Sequence, residues 1–128
     1  MLRQAPGVKK GGYILQVDLL QAANDAAHAL DQKFGKDIVV LDISDVSTIA
    51  DYFIITEAGN PNQVQAMVSG VEEAMDKHGV PLNHIEGLQR ADWVLMDYGD
   101  IIVHIFNEES RSFYDLERTW RDARKIKI

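Results

Sequence analysis

Asp97 and Asp100 lie on either side of Gly99, between two strand-like runs, and paired carboxylates at strand ends can hold magnesium for phosphoryl transfer. Asp42, at the end of an earlier apolar run, is the third carboxylate that such a site would recruit. The chain offers no device to hold the phosphate, since it has no P-loop pattern, no GxGxxG run and no basic cradle. Asp100 also has a sufficient role as a turn residue. A metal-dependent nucleotidyl- or phosphotransferase using Asp97, Asp100 and Asp42 is therefore the alternative to a binding function. The four histidines, His28, His78, His84 and His104, show no paired ligand spacing. With no cysteine in the chain, thiolate zinc sites, disulfides and cysteine nucleophiles are excluded. His78 suits a helix C-terminus, where its charge is favourable, and His104 alternates with apolar neighbours as a sheet histidine does. No cofactor and no metal are expected.

The elements that must position these groups are legible in the apolar pattern. Leu20, Ala23, Ala27, Leu30 and Phe34 recur at helical spacing behind Asp18, a helix cap, and before Gly35. Ile38 to Ile43 and Tyr52 to Thr56 are short β-branched runs joined by a polar connector that lets them pair. Asn60-Pro61 opens a second helix with its stripe at Val64, Met67, Val68, Val71 and Met75, and Gly79 with Pro81 stops it. Residues near Leu82 to Leu88 offer a further short strand. Trp93 to Tyr98 and Ile101 to Phe106 then flank Gly99-Asp100, the length and composition of a tight hairpin turn. Ser112 and Asp115 have capping-box spacing, so the last helix is expected to begin where its aromatics begin, with Phe113 and Trp120 as core anchors and Tyr114 pointing outward. The order α-β-β-α-β-β-β-α implies a single α/β domain with a mixed sheet of about five strands and helices packed on it. A flexible leader is expected over residues 1–14 and the domain over residues 15–128.

Pairing the hairpin across Gly99-Asp100 sorts its side chains onto two faces. Val94, Met96, Tyr98, Ile101, Val103 and Ile105 form an apolar face for the core. Trp93, Leu95, Asp97, Ile102, His104 and Phe106 share the other face, with Trp93 opposite Phe106 and Leu95 opposite His104. That face is either buried under a helix or, if open, a docking surface with an acidic rim.

Charge points the same way. The formal net charge of the 128 residues is −7, which argues against binding bare nucleic acid. Between Asp37 and Ser110, fourteen acidic residues stand against only Lys77 and Arg90. Such a surplus either keeps a surface solvated or steers a basic partner. No apolar run approaches the roughly 20 residues of a membrane-spanning helix, so no membrane contact is expected, and the missing cysteines suit a cytoplasmic location. An exposed aromatic face could also be covered by a second copy, as a homodimer.

The run from Ala91 to Phe106, followed by Glu108-Glu109-Ser110-Arg111 and by Phe113 to Trp120, resembles the ribosomal silencing factor or Iojap family. Asp37 to Asp42 and Ile49 to Phe53 match its N-terminal half, and the resemblance spans approximately Val17 to Trp120. It implies a nucleotidyltransferase-like shape without enzymatic activity. It also implies binding to the large ribosomal subunit through its L14-type protein on the intersubunit face, so that the small subunit cannot join and translation is repressed. The contact residues it implies are Trp93, Asp97, Tyr98, His104, Glu108, Glu109, Arg111 and Tyr114. The chain departs from the family pattern at Asn62, where an arginine is common, and in the neighbouring Pro61.

Overall fold

The structure, a computed structural model, describes residues 8–10, 13–15 and 18–128. The leader expected over residues 1–14 falls partly outside them. Across its end, β1 (Val8–Lys10) pairs antiparallel with β2 (Tyr13–Leu15) in a separate two-stranded sheet.

The body follows as α1 (Leu19–Gln32), β3 (Lys36–Asp42), β4 (Tyr52–Glu57), α2 (Pro61–Lys77), β5 (His84–Glu86), β6 (Trp93–Asp97), β7 (Ile101–Phe106), α3 (Glu108–Tyr114), the single turn α4 (Leu116–Thr119) and β8 (Arg124–Ile126). Six strands form one mixed sheet in the order β5-β6-β7-β4-β3-β8. Only β4 and β7 run parallel, and the connection between them carries α2 and the β5–β6 pair. The caps act as the sequence implies: Asp18 accepts from the Gln21 amide and Asn60 from the Gln63 amide, each satisfying a donor that the helix leaves unpaired.

Alternation along the strands divides the apolar side chains between two clusters. On one face, Ala22, Ala26, Leu30, Met67, Val71 and Met75 of α1 and α2 close over Val40, Ile54, Val94, Met96, Val103 and Ile105. The alanine side of α1 lets the helix lie close to its neighbours, and His78 Nε2 meets Asp25 Oδ2 at 2.6 Å across the pair. The other face holds Leu41, Ile43, Phe53, Ile55, Ile102 and Phe106, covered by Leu116, Trp120 and Ala123 from the C-terminal segment.

The expectations for the chain's end need three corrections. Helix α3 starts at Glu108, not at the aromatics, because Asn107 accepts from the Ser110 amide and caps it. It stops at Asp115, whose left-handed φ of 45° breaks the helix into α3 and α4. The chain then returns as β8, a strand that the pattern does not announce, with Arg124 paired to Asp42 at 2.9 Å.

Gly87 fixes the entry to β6. Its φ of 88° is left-handed, and a side chain there would overlap the Trp93 carbonyl oxygen. Gly87→Ala should therefore cost about 3 kcal/mol, the sum of strain and overlap. Urea unfolding measures it, and a loss below about 0.5 kcal/mol would show that the loop relaxes freely.

Candidate functional site

The hairpin register places Trp93 opposite Phe106 and Leu95 opposite His104, as inferred from the turn. Its second face is covered on one side and open on the other. Over β7 and β4 the C-terminal segment seals it, leaving Ile102, His104 and Phe106 buried. Towards the β5 edge it is less covered by the described residues, and Trp93, Leu95 and Asp97 are half-buried. The register on β5 sets Glu86 beside Leu95 and His84 beside Asp97, both exposed, with 2.8 Å between His84 Nε2 and Glu86 Oε1.

Aromatic rings connect the two halves. Trp120 meets Phe53 at 5.4 Å, Phe53 meets His104 at 4.8 Å, and His104 lies at 6.1 Å from Phe106. Phe106 stacks on Trp93 at 5.1 Å, and Tyr114 covers another part of Trp93 at 4.4 Å before meeting Phe113 at 5.0 Å. Exposure rises along this series from 1% at Phe106 to 47% at Tyr114 and 79% at Phe113. Phe113 is thus on the surface and not a core anchor, because the cap at Asn107 turns the helix differently from one capped at Ser112. Trp120 does pack as expected.

His104 lies under the open half. The Trp93 indole Nε1 donates to its Nδ1 at 3.1 Å, which leaves the ring proton on Nε2. Burial pushes its pKa down to about 4, so the ring is neutral at physiological pH. A neutral acceptor fixed in the sheet sets the rotamer of Trp93. His104 therefore belongs to the support of the surface and is not itself exposed to a partner.

The remaining expected residues separate. Glu108 and Glu109 are exposed on the first turn of α3, where the helix dipole favours carboxylates. Arg111, expected as a contact, turns inward. Its Nη1 and Nη2 donate to the Lys36 and Asp37 carbonyls at 3.1 and 2.7 Å, and its Nε donates to Glu117 at 3.0 Å. Tyr98 is buried on the opposite face, where burial, aided by Glu72 and Asp76, pushes its hydroxyl pKa well up. Asp97 stands at the far end of β6 from Trp93, its Oδ1 accepting from the Gly99 amide at 2.8 Å. Sequence reasoning had not assigned Glu86 or Phe113 to this surface. The asparagine cap followed by two glutamates was the signal for Phe113. Asn62 and Pro61 are exposed at the start of α2.

The three carboxylates of the transferase reading do not converge. Asp42 is three strands away from Asp97 in the sheet, roughly 14 Å at ordinary strand spacing. Asp42 is also engaged: burial opposes its ionisation, but the Ser44 hydroxyl and amide and Arg124 outweigh that and hold its pKa below the usual range. Among the described residues no group of three or more histidine, aspartate or glutamate side chains could hold a metal ion.

The family model for "Ribosomal silencing factor during starvation" matches residues 16–128. The chain belongs to the ribosomal silencing factor family. It is 42% identical over 98 residues to the ribosomal silencing factor of Bacillus subtilis, covering 77% of this chain and 83% of that one. A mouse protein named for mitochondrial assembly of the ribosomal large subunit is 32% identical over 95 residues, 71% of this chain and 41% of its own length. A crystal structure of a Chromobacterium violaceum protein superposes with a TM-score of 0.77 at 31% identity, covering 81% of this chain and 87% of the other. Silencing by this family is a regulatory role, and the open aromatic face lies within the matched span.

Neutral burial of His104 makes stability depend on pH. An unfolded histidine takes up its proton near 6.5, whereas the folded one resists until about 4. The unfolded state thus binds more protons in that window, and stability is full above it and falls as pH drops through it. The loss should reach about 3 kcal/mol by pH 4. His104→Asn, which keeps an acceptor without the titration, should lose markedly less than wild type between pH 7 and 4.5 in urea unfolding. Equal losses would remove His104 as the cause.

Proposed function

We propose that this chain binds the large ribosomal subunit through an L14-type protein on its intersubunit face and, by occupying that face, keeps the small subunit from joining. Translation is repressed by occlusion alone, in the cytoplasm, without catalytic turnover, a cofactor or contact with free nucleic acid. The observation that carries this reading is the open half of the sheet face, where Trp93 is held by His104 and flanked by Tyr114, with Glu86 and Asp97 further along the same sheet edge and Glu108 and Glu109 exposed at the start of α3. A rigid aromatic among carboxylates suits a lysine- and arginine-rich ribosomal protein, because complementary fields speed encounter and orient docking. Membership of the family supports the ribosome as target, and the mouse relative is named for the large subunit. No helix among the described residues is long and apolar enough to cross a membrane, which suits a freely diffusing factor.

Purified chain should co-sediment with large subunits and lower the yield of joined ribosomes in a gradient. Trp93→Ala should weaken binding by roughly 30-fold, as expected for a central aromatic anchor, and Glu109→Lys by about tenfold, more at low salt. Normal joining with large subunits saturated by the protein would defeat the proposal.

A further inference from the structure

Phe34 carries the largest exposure of any large apolar side chain among the described residues, 85%, and lies outside the surface assigned above. Its backbone makes this more costly. Helix α1 ends in a Schellman arrangement in which the Gly35 amide donates to the Leu30 carbonyl at 2.9 Å and the Phe34 amide to that of Asp31 at 2.9 Å. Phe34 occupies the left-handed position of that motif, φ 65°, where glycine is the residue without penalty. Folding alone thus gives no reason for an aromatic here.

Beside Phe34 opens a cleft of about 490 Å³, also lined by Lys36, Glu57, Gln63, Asn107, Glu108 and Glu109. Gln63 fixes its wall: Oε1 accepts from the Gly59 amide at 2.7 Å, and Nε2 donates to the Lys33 and Phe34 carbonyls at 3.0 Å each. Glu57 already has Lys36 at 3.6 Å and Arg111 at 3.9 Å. Glu108 and Glu109 have no ion pair among the described residues. A preset cleft with an aromatic on one side and two carboxylates on the other suits a cation with flat apolar faces. A guanidinium fits this description, stacking on the ring while its edge donates to carboxylate.

We propose that the cleft between Phe34 and Glu108–Glu109 seats an arginine side chain of a basic protein segment, with Phe34 as its anchor. Anions are disfavoured by the glutamates, and a second copy of this chain, also at −7, meets repulsion. The surface is continuous with the one above, since Glu109 and Phe113 lie one turn apart on α3 and a partner straddling that helix touches both. The identity of the basic segment rests on the ribosomal reading, whereas the seat for arginine does not.

Phe34→Gly tests this, because it removes the ring at a position where glycine is favoured. The full chain carrying it should melt no lower than wild type yet bind purified large subunits at least about tenfold more weakly, while Phe34→Tyr keeps wild-type affinity. In parallel, an alternating arginine–glycine peptide titrated into labelled protein should shift the Gly59 and Glu108 amides in wild type and Phe34→Tyr, but not in Phe34→Gly. Unchanged subunit binding by Phe34→Gly, a lowered melting temperature, or peptide shifts that are absent or independent of Phe34 would each overturn the proposal. If wild type binds no large subunits, the ribosomal reading fails and the peptide titration still decides the cleft.

Discussion

Arg111 sits beneath the start of α3 with only 11% of its side chain exposed, and its donors are shared by β3, β4 and α4. Two of its acceptors are carbonyls at the irregular start of β3, where Asp37 takes a left-handed φ of 48° and the register to β4 shifts. A bulge takes carbonyls out of the regular ladder, and they find other donors. The guanidinium donates to both, sharing the Lys36 carbonyl with the Thr56 hydroxyl at 3.1 Å, and Glu117 and Glu57 balance its charge. Removing the guanidinium takes a donor from β3 and the ion-pair partner from Glu117, which is why one residue ties α3 and α4 to the sheet.

That placement gives the sheet its asymmetry. The α1–α2 layer covers one face and buries its central strands. On the other, Leu116, Trp120 and Ala123 pack against the cluster of Phe53, Ile102 and Phe106, and the half towards β5 is less covered, with Trp93 at its boundary. The aromatic series crosses this boundary without a gap, and the exposed rings are therefore backed by a packed interior. An anchor held in this way loses little freedom on binding, which favours affinity. The same brace presents Glu108 and Glu109 at the exposed start of α3, adding carboxylates to an aromatic surface.

Much of this was legible in the sequence where local chemistry decides structure. Gly99-Asp100 fixes the hairpin and with it the facing pairs, and Asp18, Asn60 and Pro61 mark the helix starts by satisfying amides that nothing else can reach. Legibility ends where distant contacts decide. Strand β8 carries Arg124, Lys125 and Ile126, no apolar alternation, and exists because it pairs with β3 and because Arg124 meets Asp42. The break at Asp115 and the inward turn of Arg111 likewise depend on β3 and β4, far away in the chain. Trp93 and His104 were placed on one face by alternation alone, yet which of them is exposed depends on how far α4 extends. Tyr98 falls on the opposite face by that same alternation, and the family resemblance that grouped it with Trp93 carried no information about facing.

If the proposed binding holds, one side of this molecule docks and the α1–α2 side does not. Hydrogen exchange of the full chain, free and saturated with purified large ribosomal subunits, measures that directly. Added protection is expected at the amides of residues 93–97 and 108–114, with α1 and α2 unchanged between Ala22 and Leu30 and between Val68 and Met75. Protection concentrated on those helices, with residues 93–97 and 108–114 exchanging as in the free protein, would contradict it.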